Sequence, residues 1–340
     1  MKFLKKIPLQ RGKGISKPVG IAAFTVLMLI MAALIVLHHN PLADPQQELI
    51  KKIIACVIIL AAILVFGFLY DKITVLPMEL YQNRRLIWKL AKNDFKKRYA
   101  GSYLGAVWAM VQPVVTVVMY YIVFDVIMNA RAQMAAGSVD VPYVLFLTAG
   151  LVPWFYFNEA LTNGTNALVE YNYLVKKVVF KISILPIIKV IAATFIHVFF
   201  AGILILIACI YGYYPSIYTI QLVYYSFCMF VLVLALSYST CAIMVFFKDI
   251  AQIISIMLQI GMWATPILWD INGIGPTMQM IVKINPVVYI VNGYRSAIYE
   301  KTWFFEDFYS TMYFWIFTVV IFCIGALIFK RLKVHFADVM

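Results

Sequence analysis

The chain has 340 residues, of which 64% are hydrophobic and only 13% are charged. This composition excludes an ordinary soluble domain and predicts an all-α integral membrane protein. The formal net charge of +13 would suit a nucleic-acid binder, but the Lys and Arg residues lie beside the predicted spans, where anionic lipid is the nearer partner. We therefore expect no nucleic acid among the partners.

Eight apolar stretches are long enough to cross a hydrocarbon core of about 30 Å. They comprise residues 19–37, 53–70, 103–127, 142–160, 183–210, 218–247, 250–269 and 308–329. Several Lys and Arg residues precede the first stretch, which is too long for a signal-peptide core and predicts a retained anchor. With that start, most of the 28 Lys and Arg residues fall in cytoplasmic segments, so both termini are predicted to be cytoplasmic.

Residues 1–75 are predicted to form a two-helix membrane extension, whereas residues 76–102 have a different pattern. Ile87, Ala91 and Phe95 recur every fourth position opposite a cationic side, which predicts an amphipathic helix lying on the cytoplasmic surface. Its cations are Arg84, Arg85, Lys89, Lys96, Lys97 and Arg98. Two roles are open for them: binding anionic lipid, or also attracting the diphosphate of a lipid-linked substrate.

The cytoplasmic segment of residues 163–186 reads as a short helix, a break and a return to the membrane at Pro186. Residues 163–177 are interpreted either as a solvated connector or as a docking element for a cytoplasmic partner. The residues assigned to docking are Asn166, Glu170, Tyr171, Lys176 and Lys177.

Residues 270–305 contain apolar pieces that are broken by Gly and Pro and are too short to span a bilayer. Irregular backbone at membrane depth needs protein or water around it. The pattern predicts re-entrant short helices that enter from the external side and line a pathway.

The predicted spans lack the converging groups that an intramembrane enzyme would need. No His, Cys, Asp or Glu group has metal-ligand spacing, and the five cysteines read as small apolar residues. His197 stands alone on a helix and is expected to be a hydrogen-bonded packing residue. The sequence has no GxxxxGK[ST] loop, so ATP would have to be bound by another subunit. We expect no metal and no cofactor in this chain.

Aromatic residues make up 16% of the chain and cluster in three of the predicted spans. Trp and Tyr often mark membrane interfaces, but their rings also pack well against the C–H faces of sugars. Under the second interpretation a substrate pathway is lined by Tyr120, Tyr121, Phe124, Trp154, Phe155, Tyr156, Met262 and Trp263.

Four stretches, taken in order and spacing, carry a resemblance to a known family. They are LAKNDFKKRYAGSYLGAVWAMVQPVV, GLVPWFYFNEALTNGTNALVEYNYLVKKVVF, FFKDIAQIISIMLQIGMWATPILWD and INPVVYIVNGYRSAIY. From about residue 84 onward the chain resembles the permease subunit of type-2 ABC exporters for polysaccharides and teichoic acids. Residues 1–75 depart from that pattern, because the usual family member begins near the interfacial helix.

The resemblance implies a homodimer whose protomers each have a six-helix core, residues 103–340, together with two copies of a cytoplasmic ATPase that binds ATP and Mg²⁺. It implies that residues 84–99 are an interfacial gate helix and residues 163–177 a coupling helix. Residues 270–305 are similar to the external short helices that close the channel, and spans 103–127 and 250–269 would line it.

The function implied is export of a polyprenyl-diphosphate-linked polysaccharide or teichoic acid across the bacterial cytoplasmic membrane. The chain would be a transport subunit and not an enzyme by itself. Two alternatives are kept: an ABC permease for a small drug or lipid, and an intramembrane enzyme acting on lipid-linked glycans. Resemblance to wall-polymer permeases in two of the stretches favours a Gram-positive polymer weakly.

Overall fold

The computed structural model describes residues 16–37, 45–98, 107–128, 141–175 and 181–339. Within these ranges the chain is helical and contains no β-strand, which confirms the all-α prediction. The α-helices are α1 (Lys17–Leu37), α2 (Pro45–Ile73), α3 (Val75–Gln82), α4 (Arg84–Arg98), α5 (Trp108–Tyr120), α6 (Tyr143–Glu170), α7 (Asn172–Val175), α8 (Leu185–Ile210), α9 (Gln221–Met244), α10 (Ile250–Ala264), α11 (Pro276–Val282), α12 (Pro286–Arg295), α13 (Phe308–Leu332) and α14 (Phe336–Val339).

Six helical segments of the described chain are long and apolar enough to cross a membrane, so this is a multi-pass membrane protein. They are Lys17–Leu37, Glu48–Phe68, Tyr143–Glu170, Ile182–Ile210, Ile217–Met244 and Phe308–His335. Two shorter apolar helices, Val114–Ile127 and Ile250–Ala264, occupy the positions of the remaining two predicted spans.

Helix α10 ends at Ala264, although the sequence predicted a span that continues to residue 269. Thr265 is extended, with φ −87° and ψ 139°, because the following Pro266 disfavours helical backbone at the residue before it. The predicted span over residues 103–127 is described from residue 107 and finishes as a π-helix, Tyr121–Ile127.

The chain divides into two compact units, one up to Gln82 and one from Asn83 onward. In the first unit, α1 and α2 pack through stacked Phe24 and Phe66 rings, whose centroids are 3.9 Å apart. Gly20 lies so close to the Tyr70 ring that an added Cβ would be 2.2 Å from the phenol oxygen. A small residue is therefore needed where the two helices meet.

The core of the second unit is formed by α6 with α8, α9 and α12, and α13 packs on the other side of α9. Small residues allow these helices to approach closely, as is common in membranes. A Cβ at Gly164 of α6 would lie 2.2 Å from Ser237 Oγ of α9, and one at Gly325 of α13 would lie 2.7 Å from the Ala235 carbonyl.

Residues 163–170 form the last turns of α6, whereas the sequence predicted a separate short helix there. The break comes later, at Tyr171, and α7 follows it. The polar and small residues of this stretch are used for packing. Thr165 shares a 2.8 Å hydrogen bond with Thr240 of α9, next to the close contact at Gly164.

Candidate functional site

Helix α4 packs its apolar face against α8. Ile87 is 3% exposed and Ala91 is fully buried. The rings of Trp88 and Phe95 both meet Phe195 of α8 edge-on, with centroids 5.4 and 5.6 Å away. Ile87 and Ala91 are therefore covered by protein, whereas Trp88 at the edge of this side is 55% exposed.

The cations of α4 lie on its other side. Arg84, Arg85, Lys89, Lys92, Lys96 and Lys97 are all exposed, while the side chain of Arg98 lies outside the described residues. The predicted division into an apolar and a cationic face is thus confirmed. Because the helix is only 15 residues long and carries this charge, it presents a positive surface beside the bundle.

A buried carboxylate, Asp94, interrupts the apolar face of α4 and meets Lys189 of α8. Lys189 Nζ donates to Asp94 Oδ1 over 2.8 Å and also forms an ion pair with Glu170 at the end of α6. The Tyr171 hydroxyl donates to Asp94 Oδ1 over 2.6 Å. We call Asp94, Glu170, Tyr171 and Lys189 the buried polar junction.

The junction joins three parts of the chain, because Lys189 of α8 bonds to Asp94 of α4 and to Glu170 at the end of α6. Lys189 is only 3% exposed, and a buried cation is tolerated when it is paired and hydrogen-bonded. Its ammonium also lies 4.9 Å from the centre of the Tyr171 ring. Burial raises the pKa of Tyr171, and the hydrogen bond to Asp94 raises it further, so the phenol stays protonated and donates.

Sequence reasoning missed this pairing. Position 189 falls within the predicted span 183–210, and Asp94 was not among the residues selected on the amphipathic helix. A signal was present: Asp94 is the acidic residue among the cations of α4, and it follows Ile87 by seven positions and Ala91 by three, which puts it on the buried face.

Some of the residues assigned to docking belong to the buried polar junction and others do not. Glu170 and Tyr171 belong to the junction, whereas Asn166 lies one turn earlier on α6, where its amide nitrogen donates to the Thr162 carbonyl over 2.9 Å. Lys176 and Lys177 lie outside the described residues. The end of α6 thus brings part of the proposed docking segment directly against α4.

The aromatic residues assigned to the pathway fall into two groups. Trp154 and Tyr156 are buried within the protomer, each 2% exposed, and the Tyr156 ring stacks on His197 with centroids 4.4 Å apart. Phe155 is half-buried against Phe200. In this conformation these rings pack the helices of one protomer.

The other group lies on α5, the following π-helix and α10. Tyr120 and Phe124 contact each other, with centroids 6.0 Å apart, and Phe124 continues to Tyr143 at 4.8 Å. Tyr121 is exposed, Met262 is half-buried and Trp263 is 67% exposed. The structure therefore leaves rings of this group accessible from outside the protomer.

Most of the α10 surface is uncovered. Leu258 is its one buried residue, and Ile253, Ile256, Met257, Ile260 and Trp263 are exposed. On its covered side, Gly261 packs against Trp154, where an added Cβ would lie 2.8 Å from the indole. An apolar face of this size needs lipid or another protein surface against it.

His197 is a packing residue, as expected. Its Nε2 atom lies 2.9 Å from both Ser226 Oγ and the Tyr294 hydroxyl, which ties α8 to α9 and α12. Among the residues that the structure describes, no group of three His, Cys, Asp or Glu side chains could hold a metal ion.

Comparison with known families matches residues 85–299 to the family described as ABC-2 type transporter. That range is more than half of the chain. The chain belongs to the ABC-2 type transporter family. The matched range begins in α4 and ends in the π-helix Ser296–Glu300, so it contains the whole buried polar junction of this ABC-2 permease.

Curated relatives agree with that assignment. The ABC-2 permease is 28% identical over 227 residues to the O-antigen export system permease protein RfbA of Myxococcus xanthus, which covers 66% of this chain and 84% of the relative. It is 25% identical over 278 residues to the protein of the same name from Klebsiella pneumoniae, covering 81% and 96%. Like these transport subunits, the ABC-2 permease is not an enzyme on its own.

Proposed function

We propose that this ABC-2 permease exports a polysaccharide linked to a polyprenyl diphosphate across the bacterial cytoplasmic membrane. The named relatives are permeases of O-antigen export systems, which supports a polysaccharide as the substrate. The observation that carries the proposal is that the buried polar junction joins the cationic helix α4 to the docking end of α6. The helix that would attract the substrate diphosphate is thereby linked to the segment that would dock the ATPase.

Energy comes from two copies of a separate cytoplasmic ATPase that binds ATP and Mg²⁺. The ATPase contacts the segment that begins at the end of α6. Since Glu170 and Tyr171 are bonded to Lys189 and Asp94, displacement of that end also displaces α4. The gate helix thus moves together with the docking segment, and the substrate diphosphate enters beside it.

The membrane orientation follows from the positions of the cations. Helix α4 and the end of α6 lie at the cytoplasmic side, and both termini are cytoplasmic. The short helices α11 and α12 then lie at the external side, because α6 and α9 each cross the membrane between the two ends.

The transporter is a homodimer, in which a second copy covers α5 and α10. Helix α10 has 15 residues and a length of about 22 Å, which is shorter than the hydrocarbon core. A short helix with exposed apolar side chains on most of its surface is better covered by protein than by lipid. Tyr121 and Trp263 would then face the centre of the dimer.

Gentle solubilisation of native membranes tests this function directly. Tagged permease purified under these conditions should carry one ATPase subunit per permease, and native mass spectrometry should give two copies of each with a bound polyprenyl-linked glycan. A permease without an ATPase in every detergent used would overturn the exporter, and a permease–ATPase complex with one copy of each would overturn the homodimer.

Removal of four cations from α4 should weaken the response to substrate. In the variant Arg85→Gln, Lys89→Gln, Lys96→Gln, Lys97→Gln, the substrate concentration for half-maximal ATPase stimulation should rise at least tenfold. Each juxtamembrane cation contributes up to about 1 kcal/mol toward an anionic surface, and a combined loss of about 1.4 kcal/mol is already tenfold. All four side chains are exposed, so folding and assembly should be unchanged. The measurement is ATPase activity in liposomes against added lipid-linked glycan.

A second variant controls for total charge. Replacing Lys248, Lys330, Arg331 and Lys333 by Gln removes the same charge from the same side of the unit without touching α4. Stimulation should then stay at the unmodified level. Equal stimulation in the α4 variant and the unmodified protein would show that the α4 cations bind only lipid.

A further inference from the structure

A cavity of about 1150 Å³ opens in the second unit where α6, α9 and α13 begin. It is lined by residues 270–272, 299–300, 302–304 and 306–307 together with residues of α11 and α12. Pockets that bind small ligands have volumes of roughly 300–1,000 Å³, so this one has room for several sugar residues. It lies at the end of the unit opposite the buried polar junction. From the charge distribution we infer that this end is at the external side of the membrane.

Aromatic rings form much of the wall. Among them are Phe146, Tyr225, Tyr289, Trp303, Phe304 and Tyr309. Tyr289 is held in place because its hydroxyl bonds to Thr311 Oγ1 over 2.9 Å and its ring packs edge-on against Tyr225 with centroids 5.5 Å apart. A Tyr ring offers an apolar face and a hydroxyl, which match the C–H faces and hydroxyl groups of a sugar.

Hydrogen-bonding groups between the rings are fixed by local bonds. Asp270 Oδ1 accepts from the Asn272 backbone N–H over 3.0 Å, Glu300 Oε2 accepts from Ser296 Oγ over 2.8 Å, and Glu306 Oε1 accepts from the Trp303 N–H over 3.1 Å. Each of these bonds uses one oxygen, and a carboxylate has two. Held in this way, the carboxylates are oriented acceptors for sugar hydroxyls, and such charge-assisted hydrogen bonds are strong.

The charge of the lining disfavours a phosphate-bearing polymer. Asp270, Glu300, Glu306 and Asp307 line the cavity together with two cations, Lys283 and Arg295.

Of the two cations, Arg295 is withdrawn from the opening. It is 3% exposed, its guanidinium lies 3.6 Å from the centre of the Phe146 ring, and its Nη2 atom donates to the Ile267 carbonyl. Among the residues lining the cavity this leaves Lys283 as the exposed cation, so the accessible surface is net acidic and repels anions.

We propose that this cavity binds a short, neutral stretch of the exported glycan as it leaves the transport pathway. The proposal rests on the proposed function and narrows the substrate class, because a polymer with a phosphodiester in every repeat would be repelled by the acidic lining. Neutral polysaccharides, whose hydroxyls bind carboxylates and whose C–H faces pack on rings, fit both features of the wall.

Photocrosslinking in cells that make the polymer tests the site. Met280 lines the cavity and is 73% exposed, so p-benzoylphenylalanine should be tolerated there. Val223 of α9 is a matched control, since it is 72% exposed and is not part of the lining. After irradiation, permease purified under denaturing conditions should carry about tenfold more glycan at position 280 than at position 223, in line with the contribution of aromatic contacts. The repeats of the captured glycan should contain neutral sugars and no phosphate.

A third crosslinker position separates the two proposals. The same amino acid at Trp263 reports the pathway on α10. Glycan captured at position 263 but not at position 280 overturns the cavity and leaves the export function standing. Capture at neither position, with the ATPase active, overturns both. Phosphate in the repeats of the glycan captured at position 280 overturns the assignment of a neutral substrate.

Discussion

Replacing Lys189 by methionine should destabilise the permease by about 3–5 kcal/mol, because removing one member of a buried ion pair leaves the other charge without compensation. Asp94 is 6% exposed and cannot regain water, whereas the Glu170 side chain is 49% exposed and can. The cost therefore arises mainly from Asp94. SDS-induced unfolding of the purified protein measures it.

A paired substitution separates stability from coupling. In Lys189→Met with Asp94→Leu both charges are removed together, and exchanging a buried ion pair for apolar residues of similar size is often neutral in free energy. This double variant should recover most of the stability. Its ATPase should still hydrolyse ATP while glycan export falls, since α4 is no longer bonded to the end of α6. Normal export by the stable double variant would reduce the junction to a packing feature.

Gly164→Leu should cost about 3 kcal/mol, because extra carbon atoms in a close-packed helix contact force the helices apart. The first added atom alone would lie 2.2 Å from Ser237 Oγ and 2.8 Å from Ser237 Cβ. Both residues are buried, so the new side chain has nowhere to turn. The yield of folded protein on size-exclusion chromatography should fall accordingly.

Gly202 of α8 provides the matched control. It is a helical glycine with open space around it, where an added Cβ meets nothing within 4 Å. Gly202→Leu should therefore leave the yield unchanged or improve it slightly, because leucine favours a helix more than glycine does. Combining Gly164→Ala with Ser237→Gly should restore close contact between α6 and α9. Equal loss in the Gly164 and Gly202 variants would contradict the packing argument.

Local patterns in the sequence predicted the described helices well. Spans appear as long apolar stretches, and the sidedness of α4 appears as a four-residue period, because both depend on residues close together in the chain. Boundaries were less predictable. Residues 163–166 contain turn-forming types, yet α6 continues through them since Gly164 and Thr165 contact α9.

The sequence by itself determined the class of protein, the position of the spans and the resemblance that the family match bears out. Only the tertiary structure decided which groups meet. Lys189 pairs with Asp94 across 95 residues, and the cavity combines the beginnings of α6, α9 and α13 with the segment after α12. Burial of a charge and the shape of a cavity depend on partners supplied from distant parts of the chain, and a periodic pattern within one helix contains no information about them.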